Sequence, residues 1–159
     1  MKKILLFGNS SSGKSTLAKK LCADGELAHL DLDTLAWLPS TPPQRAPLDI
    51  SSDKIQTFTS ENLNWVIEGC YTDLLELLRE QATEIIYLNL PVELCIDNAK
   101  KRPWEPHKYE SKQAQDENLS MLLQWISGYL DRDDEFSYAS HKQFYDSFDG
   151  KKSMIEHLQ

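Results

Sequence analysis

The chain alternates between short, mostly apolar runs and longer segments whose apolar residues recur at helical spacing. A short apolar run indicates a strand that is covered on both faces, as in a parallel sheet. Such runs are found at residues 3–7, 27–33, 65–67 and 84–90. Helices are predicted at about 14–23, 52–63, 72–81, 91–101, 111–130 and 137–148. Strands that alternate with helices predict right-handed βαβ crossovers and a parallel sheet.

Individual residues set the expected limits of some helices. Ser51 or Ser52 is expected to cap the second helix, which would carry three apolar residues on one face: Ile55, Phe58 and Leu63. The long fifth helix would place a row of apolar side chains on one side: Leu119, Leu122, Leu123, Ile126 and Leu130. The last helix is expected to stop at Gly150, and no clear strand pattern follows it.

Prolines interrupt the pattern in two places. Residues 38–47 hold four of them, which predicts an irregular loop that either covers a bound acceptor or simply connects two elements. Residues 102–109 (RPWEPHKY) hold two more, so this segment cannot be a regular helix.

The loop after the first strand carries the clearest chemical signal. Residues 8–15 (GNSSSGKS) match the phosphate-binding pattern G-x-x-x-x-G-K-[ST] at every position. An apolar strand precedes this loop and a helix follows it, as the pattern requires. Glycines permit the turns and close approaches of such a loop, and successive backbone N–H groups then form an anion-binding nest at the helix N-terminus.

This motif predicts a nucleotide site in which residues have distinct roles. Lys14 is expected to reach the β- and γ-phosphates, and the Ser15 hydroxyl is expected to ligate Mg²⁺. The expected nucleotide is ATP, with GTP the less favoured alternative. A ligand-free turn rich in serine and glycine would not explain the lysine and the serine at these places. The predicted phosphate-binding residues are Gly8, Asn9, Ser10, Ser11, Ser12, Gly13, Lys14, Ser15 and Thr16.

Three carboxylates at predicted strand ends are candidates for metal and proton chemistry. Asp31 and Asp33 stand two residues apart, so on a strand both side chains would point to one face. We expect Asp31 to hold Mg²⁺ and Asp33 to accept the proton of an acceptor hydroxyl. Alternatively, Asp33 caps a turn. Glu68 ends the third strand and is either a further Mg²⁺ ligand or a solvated strand end.

Composition narrows the function further. The net charge of −8 over 159 residues disfavours direct binding of duplex DNA. No apolar run approaches the ~20 residues that span a bilayer, and the first run ends too early for a signal peptide. A cytoplasmic protein without a membrane partner is therefore expected. Three widely spaced cysteines are expected to be free thiols: Cys22, Cys70 and Cys95.

Several motifs together carry a family resemblance. The segments GNSSSGKST at 8–16, LDLDTLAW at 30–37 and WVIEGCY at 65–71 resemble the adenylate-kinase-like branch of P-loop kinases. The chain is particularly similar to bacterial topology modulation proteins and shikimate-kinase-like ATPases, and RPWEPHKYESK at 102–112 resembles a stretch of a subset of these sequences. The resemblance implies a three-layer α/β P-loop NTPase fold over 1–159. Its parallel sheet would have four or five strands flanked by helices, with a helical lid region.

The resemblance also bears on the acceptor. Asp31-Leu32-Asp33 resembles the D-x-D of shikimate kinases, whose first Asp lies near Mg²⁺ and whose second lies near the acceptor hydroxyl. Glu68-Gly69-Cys70 stands where those enzymes have Gly-Gly-Gly, and it also differs from the D-G-F-P-R of adenylate kinases. Both departures separate the chain from the known acceptors. Residues 34–64 are the candidate acceptor-binding region.

Residues 102–112 are predicted to form a lid over the phosphates, within a region that extends to residue 120. The transferring phosphoryl group needs cations besides Lys14 and Mg²⁺, and an arginine offers a bidentate fork. Arg102 is the first candidate and Arg132 the second. Alternatively, the segment is an ordered surface loop in which Trp104 packs on the core. Other residues of the segment add aromatic surface and positive charge: His107, Lys108 and Tyr109.

These features predict a small-molecule kinase that moves the γ-phosphate of Mg-ATP to an unidentified hydroxyl or phosphate acceptor. The alternative is a nucleotide-hydrolysing regulator that binds a macromolecular partner and passes phosphate only to water. A DNA-acting protein comes third, because the chain is acidic and has neither a helix-turn-helix pattern nor a basic stripe.

Overall fold

The computed structural model describes residues 1–40 and 43–157. Its strands are Lys3–Gly8 (β1), Ala28–Asp31 (β2), Trp37–Leu38 (β3), Gln44–Arg45 (β4), Trp65–Gly69 (β5), Glu84–Leu88 (β6) and Lys151–Ile155 (β7). Five of them form one parallel sheet in the order β2-β5-β1-β6-β7, while β3 and β4 form a small antiparallel hairpin. This sheet, flanked by helices, confirms the predicted α/β class.

Among the described residues, six α-helices connect the strands, and a short 3₁₀ helix at Leu32–Thr34 follows β2. The α-helices are Lys14–Gly25 (α1), Leu48–Glu61 (α2), Thr72–Glu76 (α3), Val92–Lys101 (α4), Lys112–Ser127 (α5) and Tyr138–Ser147 (α6). No helix in the described part of the chain is long and apolar enough to cross a membrane. Cys22, Cys70 and Cys95 are free thiols.

The central strand β1 supplies apolar side chains to both faces of the sheet. Ile4 and Leu6 belong to the cluster on the α1 side, whereas Leu5 and Phe7 belong to the larger cluster formed with α2, α3 and α6. Each fully buried side chain of this size stabilises the fold by about 1.5–3 kcal/mol. The two cores therefore hold rigid the strand that leads into the glycine-rich loop.

Helix α2 begins earlier than the sequence suggests. Its first residue is Leu48, and Pro47 takes the cap position, which suits a residue without a backbone N–H. The predicted cap at Ser51 or Ser52 is therefore wrong. Ser51 is buried inside the helix and its hydroxyl donates to the Leu35 carbonyl at 3.4 Å. Leu63 follows the helix and is 68% exposed, so it is not part of the apolar face.

Three further expectations are corrected. The proline-rich segment contains the β3–β4 hairpin, although Pro42 lies outside the described residues. Helix α5 ends at Ser127, and Leu130 beyond it is 62% exposed and does not join the apolar row. A fifth sheet strand does follow Gly150, because β7 pairs in parallel with β6.

Candidate functional site

Two glycines shape the loop between β1 and α1. A Cβ atom on Gly8 would lie 2.4 Å from the Leu88 carbonyl oxygen, so only glycine lets β1 pass so close to β6. Gly13 has a φ of 94°, which L side chains rarely adopt. Ser11 also takes a positive φ, 61°. The loop is thus held in an unusual backbone conformation at the N-terminus of α1.

Lys14 folds back into the loop and is only 9% exposed. Its ammonium donates to the Asn9 carbonyl at 2.7 Å, to the Gly8 carbonyl at 3.3 Å and to the Ser12 hydroxyl at 3.5 Å. Within the described part of the chain no carboxylate pairs with it. A sheltered cation with only neutral partners favours an anion nearby.

Ser15, Glu68 and His29 meet at the carboxyl edge of β5. The Ser15 hydroxyl donates to Glu68 Oε2 at 2.6 Å, and His29 Nε2 lies 2.9 Å from the same oxygen. Glu68 is 2% exposed, so the solvated strand end is the wrong interpretation of this residue. Asp31 stands opposite Glu68 in the register of β2 and β5. Three oxygen-bearing side chains therefore lie beside the first turn of α1.

Asp31 lies in a strongly negative environment. Burial and the nearby carboxylates of Asp33 and Glu68 raise the pKa of Asp31 to about 6, against the opposing effect of Lys108. Its Oδ1 accepts the backbone N–H of Asp33 at 2.9 Å. This bond caps the 3₁₀ turn, which shows that the strand has ended at Asp31 and that the two aspartates do not share a strand face.

Asp33 is held by two donors instead. The Tyr71 hydroxyl donates to Oδ1, and the Lys108 ammonium donates to Oδ2 at 2.9 Å. Burial acts to raise the pKa of Asp33, but Lys108, the Tyr71 hydrogen bond and Lys14 outweigh it and lower that pKa. Burial likewise acts to lower the pKa of Lys108, but Asp33 and Asp31 raise it overall. The two neighbouring aspartates thus have pKa values shifted in opposite directions.

The segment after α4 lies over this cluster. Arg102 donates to the Ser11 hydroxyl and lies 3.2 Å from Glu105 Oε1. Lys108 reaches Asp33 from the same segment. Trp104 is 42% exposed, so it does not pack on the core in the way the alternative interpretation requires. The predicted lid segment therefore contacts both the glycine-rich loop and the carboxylates.

Arg132 lies apart from these contacts. One of its terminal nitrogens donates to the Trp125 carbonyl, its guanidinium lies 4.5 Å from the Trp125 ring centroid, and Nε is 3.2 Å from Asp134. Among the described residues its contacts are with the end of α5 and the following turn, not with the glycine-rich loop. It is not brought together with the other predicted catalytic residues.

Three residues of the site were not singled out by the sequence analysis: Tyr71, Trp37 and His29. Lys108 was expected only to add positive charge to the lid segment, and its contact with Asp33 was not predicted. The Trp37 indole N–H donates to the Tyr71 hydroxyl at 2.8 Å, so it supports the donor that holds Asp33. The motif segments 30–37 and 65–71 contained Trp37 and Tyr71. The position of these two aromatic residues inside the motif segments was the only sign of a role in the site. Their hydrogen bonds, from Trp37 to Tyr71 and from Tyr71 to Asp33, could not be predicted without the fold.

A cavity of about 210 Å³ opens beside the carboxylates. The residues that line it are Ser15, Lys19, His29, Asp31, Thr34, Glu105 and His107. A larger cavity, of about 340 Å³, lies at the carboxyl ends of β6 and β7. Within residues 1–40 and 43–157 no three or more His, Cys, Asp or Glu side chains form a complete metal-binding group. A bound Mg²⁺ would therefore need water and ligand oxygens as well.

The fold is that of an α/β protein with a five-stranded parallel sheet. The chain is similar to a sugar kinase from Janibacter sp. whose structure was solved without ligand, with a TM-score of 0.58 and 14% sequence identity. The similarity covers 98% of this chain and 85% of that one. No protein-family model and no curated protein matches the chain. At this identity the likeness establishes the fold.

Proposed function

We propose that the chain is a phosphotransferase that binds Mg-ATP on its glycine-rich loop and transfers the γ-phosphate to a small acceptor. One observation carries the proposal: the loop at Gly8–Ser15 and the carboxylates of Asp31, Asp33 and Glu68 converge at one edge of the sheet. Open α/β sheets bind ligands at the carboxyl ends of their strands. The kinase-like fold supports the same class.

The loop would hold the phosphates through backbone N–H groups and Lys14. The N-terminus of α1 has no side-chain cap, so its first N–H groups are available to an anion. Lys14 would exchange its bonds to the Asn9 and Gly8 carbonyls for phosphate oxygens. Arg102, already at the Ser11 hydroxyl, would add a second cation on the other side of the loop.

The side chains next to Ser15 suit Mg²⁺. The hydroxyl of Ser15 and the carboxylates of Glu68 and Asp31 are hard oxygen donors, which this ion prefers. Burial first, and then the negative charge of Asp33 and Glu68, raise the pKa of Asp31, and a divalent cation would offset that negative charge. When bound, the ion would neutralise charge on the β- and γ-phosphates.

Asp33 would act on the acceptor. Its carboxylate would take the proton of the acceptor hydroxyl while that oxygen forms a bond to the γ-phosphorus. The bond between the γ-phosphorus and the oxygen that bridges to the β-phosphate would break, and ADP would leave. Tyr71 would keep the carboxylate aimed at the acceptor.

Membership of the adenylate-kinase-like branch is part of this proposal and is supported by the motifs and by the kinase-like fold. The acceptor, the preference for ATP over GTP and a cytoplasmic location stay predictions. The structural neighbour is a sugar kinase, so sugars and their derivatives are the first acceptors to test.

A specific observation favours the second candidate, a nucleotide hydrolase. Each oxygen of Asp33 accepts a hydrogen bond, one from Tyr71 and one from Lys108, so the resting site holds this carboxylate in an ion pair that makes it a weaker base for an acceptor hydroxyl. If this pairing persists with nucleotide bound, slow transfer to water would be favoured over transfer to a small acceptor. The two candidates differ in where the phosphate goes.

The decisive experiment follows γ-labelled ATP with Mg²⁺ and a panel of sugars, sugar acids and sugar phosphates. A kinase places the label on one acceptor and releases ADP faster in its presence, whereas a hydrolase yields inorganic phosphate regardless of the panel. Lys14→Ala should weaken ATP binding at least tenfold in calorimetry, a change of ~1.4 kcal/mol. Lys20→Ala, which removes an exposed lysine of α1, is the matched control. Equal ATP affinity in Lys14→Ala and the wild type would refute the nucleotide site.

A further inference from the structure

Ser11 holds a backbone conformation that is unfavourable for a serine. Its φ of 61° lies in the left-handed region, and the residue is buried in the glycine-rich loop. A Cβ atom crowds the backbone in this region, so glycine usually occupies it. Gly13 follows that rule two residues later, but the chain has no glycine at position 11. Contacts from outside the loop must therefore stabilise Ser11 in this conformation.

The left-handed φ of Ser11 matters for the anion nest proposed for the loop. Along the loop φ is positive at Ser11, negative at Ser12 and positive again at Gly13. Such an alternation turns successive backbone N–H groups towards one point, where an anion can bind. If Ser11 relaxed to a negative φ, the N–H groups that follow it would point elsewhere. The affinity of the loop for phosphate therefore depends on what holds Ser11.

The peptide that joins Ser11 to Ser12 is held at both of its polar groups. Its C=O accepts a hydrogen bond from the Asn98 amide at 2.9 Å, and its N–H donates to the Asn9 carbonyl at 3.3 Å. Arg102 donates to the Ser11 hydroxyl as well. Rotation of the serine side chain would break the Arg102 contact, whereas the carbonyl cannot turn unless the backbone dihedrals change. Asn98 therefore fixes this peptide from outside the loop.

Helix α4 gives Asn98 a rigid support. Cys95 and Ala99 of the same helix are buried in an apolar cluster that includes side chains of α5. Asn98 lies next to Ala99 and is half-buried. A side chain on a packed helix holds its partner more precisely than one on a loop does. The bond spans 87 positions of the chain, so the loop motif alone does not reveal it.

We infer that Asn98 is a positioning residue of the phosphate site: it holds Ser11 in the left-handed conformation and so keeps the loop in the shape that binds phosphate. The inference rests on the proposed function. Asn98 acts through the Ser11 backbone and needs no contact of its own with the nucleotide. A loop that already has its bound shape loses less conformational freedom on binding, so it binds more tightly.

Calorimetric titration with pyrophosphate and with ADP, both without Mg²⁺, measures the affinity of the loop. Asn98→Ala should weaken both by about tenfold, because the Ser11 carbonyl loses its donor and the loop must then be ordered on binding. Pyrophosphate has no base, so an equal loss for the two ligands places the effect at the phosphates. Asp97→Ala, at an exposed residue of the same helix, is the matched control and should bind both ligands as the wild type does.

A rescue experiment separates positioning of the loop from general packing. Ser11→Ala and Ser11→Gly both remove the hydroxyl that Arg102 contacts, but only glycine adopts a positive φ without strain. In the Ser11→Ala background, Asn98→Ala should again weaken pyrophosphate binding by about tenfold. In the Ser11→Gly background the loss should stay within about twofold, because glycine adopts positive and negative φ about equally.

NMR reports the conformation of Ser11 without any ligand. A positive φ brings the amide and α protons of one residue close together. Ser11 should therefore give a strong intraresidue NOE in the wild type and in Asp97→Ala, and a weaker one in Asn98→Ala. An NOE that is equally strong in Asn98→Ala would overturn the inference.

Three binding results would also overturn it. They are an unchanged affinity for pyrophosphate in Asn98→Ala, a loss confined to ADP, which would place Asn98 at the base, and an equal loss in the Ser11→Ala and Ser11→Gly backgrounds. A wild-type protein that binds neither ligand would instead count against the proposed function. The NOE would then still decide whether Asn98 holds Ser11.

Discussion

Asp31 and Asp33 illustrate how neighbouring carboxylates acquire different chemistry. Burial and the neighbouring carboxylates raise the pKa of Asp31, while at Asp33 an ammonium and a hydroxyl outweigh burial and lower the pKa. Environments that separate the pKa values of two acids often separate their roles as well. The low pKa of Asp33 depends on Lys108.

Because the pKa of Asp31 is raised, replacing this residue should change the thermal stability of the protein by an amount that depends on pH. Its pKa rises from 3.8 to about 6 on folding, so the folded state binds the proton more tightly than the unfolded state. The ionisation of Asp31 alone therefore lowers the stability of the wild type as pH rises from about 4 to 6. Asp31→Asn, which cannot ionise, should raise Tm at pH 7.5 by several degrees more than at pH 4.

Thermal unfolding of both proteins at the two pH values provides the measurement. Asp24→Asn removes an exposed carboxylate of α1 and is the matched control. If Asp31→Asn changes Tm equally at pH 4 and pH 7.5, the ionisation of Asp31 is not perturbed by folding.

Replacing Asp33 should separate chemistry from nucleotide binding. Asp33→Asn keeps the shape of the side chain but cannot take the hydroxyl proton, so kcat should fall by roughly 10²–10⁴. ATP affinity should change little, because the proposed phosphate site is the glycine-rich loop and not Asp33. Tyr71→Phe, which removes only the supporting hydrogen bond, should have a smaller effect. Steady-state kinetics and calorimetry measure both quantities, and a wild-type rate for Asp33→Asn would leave Asp33 as a partner of Lys108 alone.

At this scale the sequence identified residues whose roles follow from a local motif. Lys14 and Ser15 stand at set positions of an eight-residue pattern, so their neighbours could be expected without a fold. Lys108 lies 75 residues from Asp33 along the chain, and nothing near either residue specifies their contact. Only the packing of the segment after α4 brings them together.

Among the elements, the segment at 102–112 is the one whose contacts bridge separate parts of the site. It is attached at the loop through Arg102 and at the carboxylates through Lys108. An irregular segment that is held to the site by these two side-chain contacts suits a lid that opens and closes around a ligand. The lid hypothesis therefore concerns how these two contacts respond when nucleotide binds.

Hydrogen exchange with and without a non-hydrolysable ATP analogue tests this response. Amides in residues 102–112 should exchange more slowly with the analogue bound, because the phosphates would add partners for the segment. Arg102→Ala should lower turnover, while Lys112→Ala, which removes an exposed ion pair, should not. Unchanged protection together with wild-type turnover of Arg102→Ala would leave the segment with a packing role only.

The elements that could be predicted are those with a buried, apolar pattern. The strands β1, β5 and β6 lie inside the sheet and are almost wholly buried, so their sequences are apolar enough to be recognised. The edge strand β7 reads KKSMI and its first three residues are exposed, which leaves no such pattern. This strand forms because β6 offers free backbone hydrogen-bonding groups at the edge of the sheet, and its own composition does not predict it.

In the molecule as a whole, a buried chain of hydrogen bonds links β6, the turn after α5 and α6 to the strand end beside the site. The Tyr87 and Tyr129 hydroxyls lie 2.5 Å apart, the Tyr129 hydroxyl is 2.7 Å from His141 Nδ1, and His141 Nε2 is 2.8 Å from the Cys70 carbonyl. Since a carbonyl only accepts, Nε2 carries the proton and Nδ1 accepts from Tyr129. Cys70 directly precedes the tyrosine that holds Asp33.

This network should make stability depend on pH. Burial lowers the pKa of His141 to about 3, so in acid the unfolded chain gains a proton that the folded chain does not. His141 therefore contributes stability above pH 6.5 that is lost as pH falls from there towards 3. His141→Gln should lower the unfolding free energy at pH 7 by about 1–3 kcal/mol through lost hydrogen bonds. His141→Gln should also reduce the loss of unfolding free energy between pH 7 and pH 4.5.

Urea unfolding at both pH values measures the two effects. His157→Gln, at an exposed histidine after β7, serves as the comparison. A decline as steep in His141→Gln as in the wild type would mean that other groups cause the acid sensitivity.

The place of β1 in the sheet has a consequence for folding kinetics. The chain begins with its central strand, but bonds at the start of that strand join residues 62 and 80 positions apart. Contacts between such distant segments make folding slow, on the order of milliseconds to seconds for sheets of this kind. The loop is complete only when Gly8 lies against Leu88 of β6, so a nucleotide has nothing to bind while the strands are still unpaired. Nucleotide should therefore slow the unfolding of the finished protein without accelerating its folding.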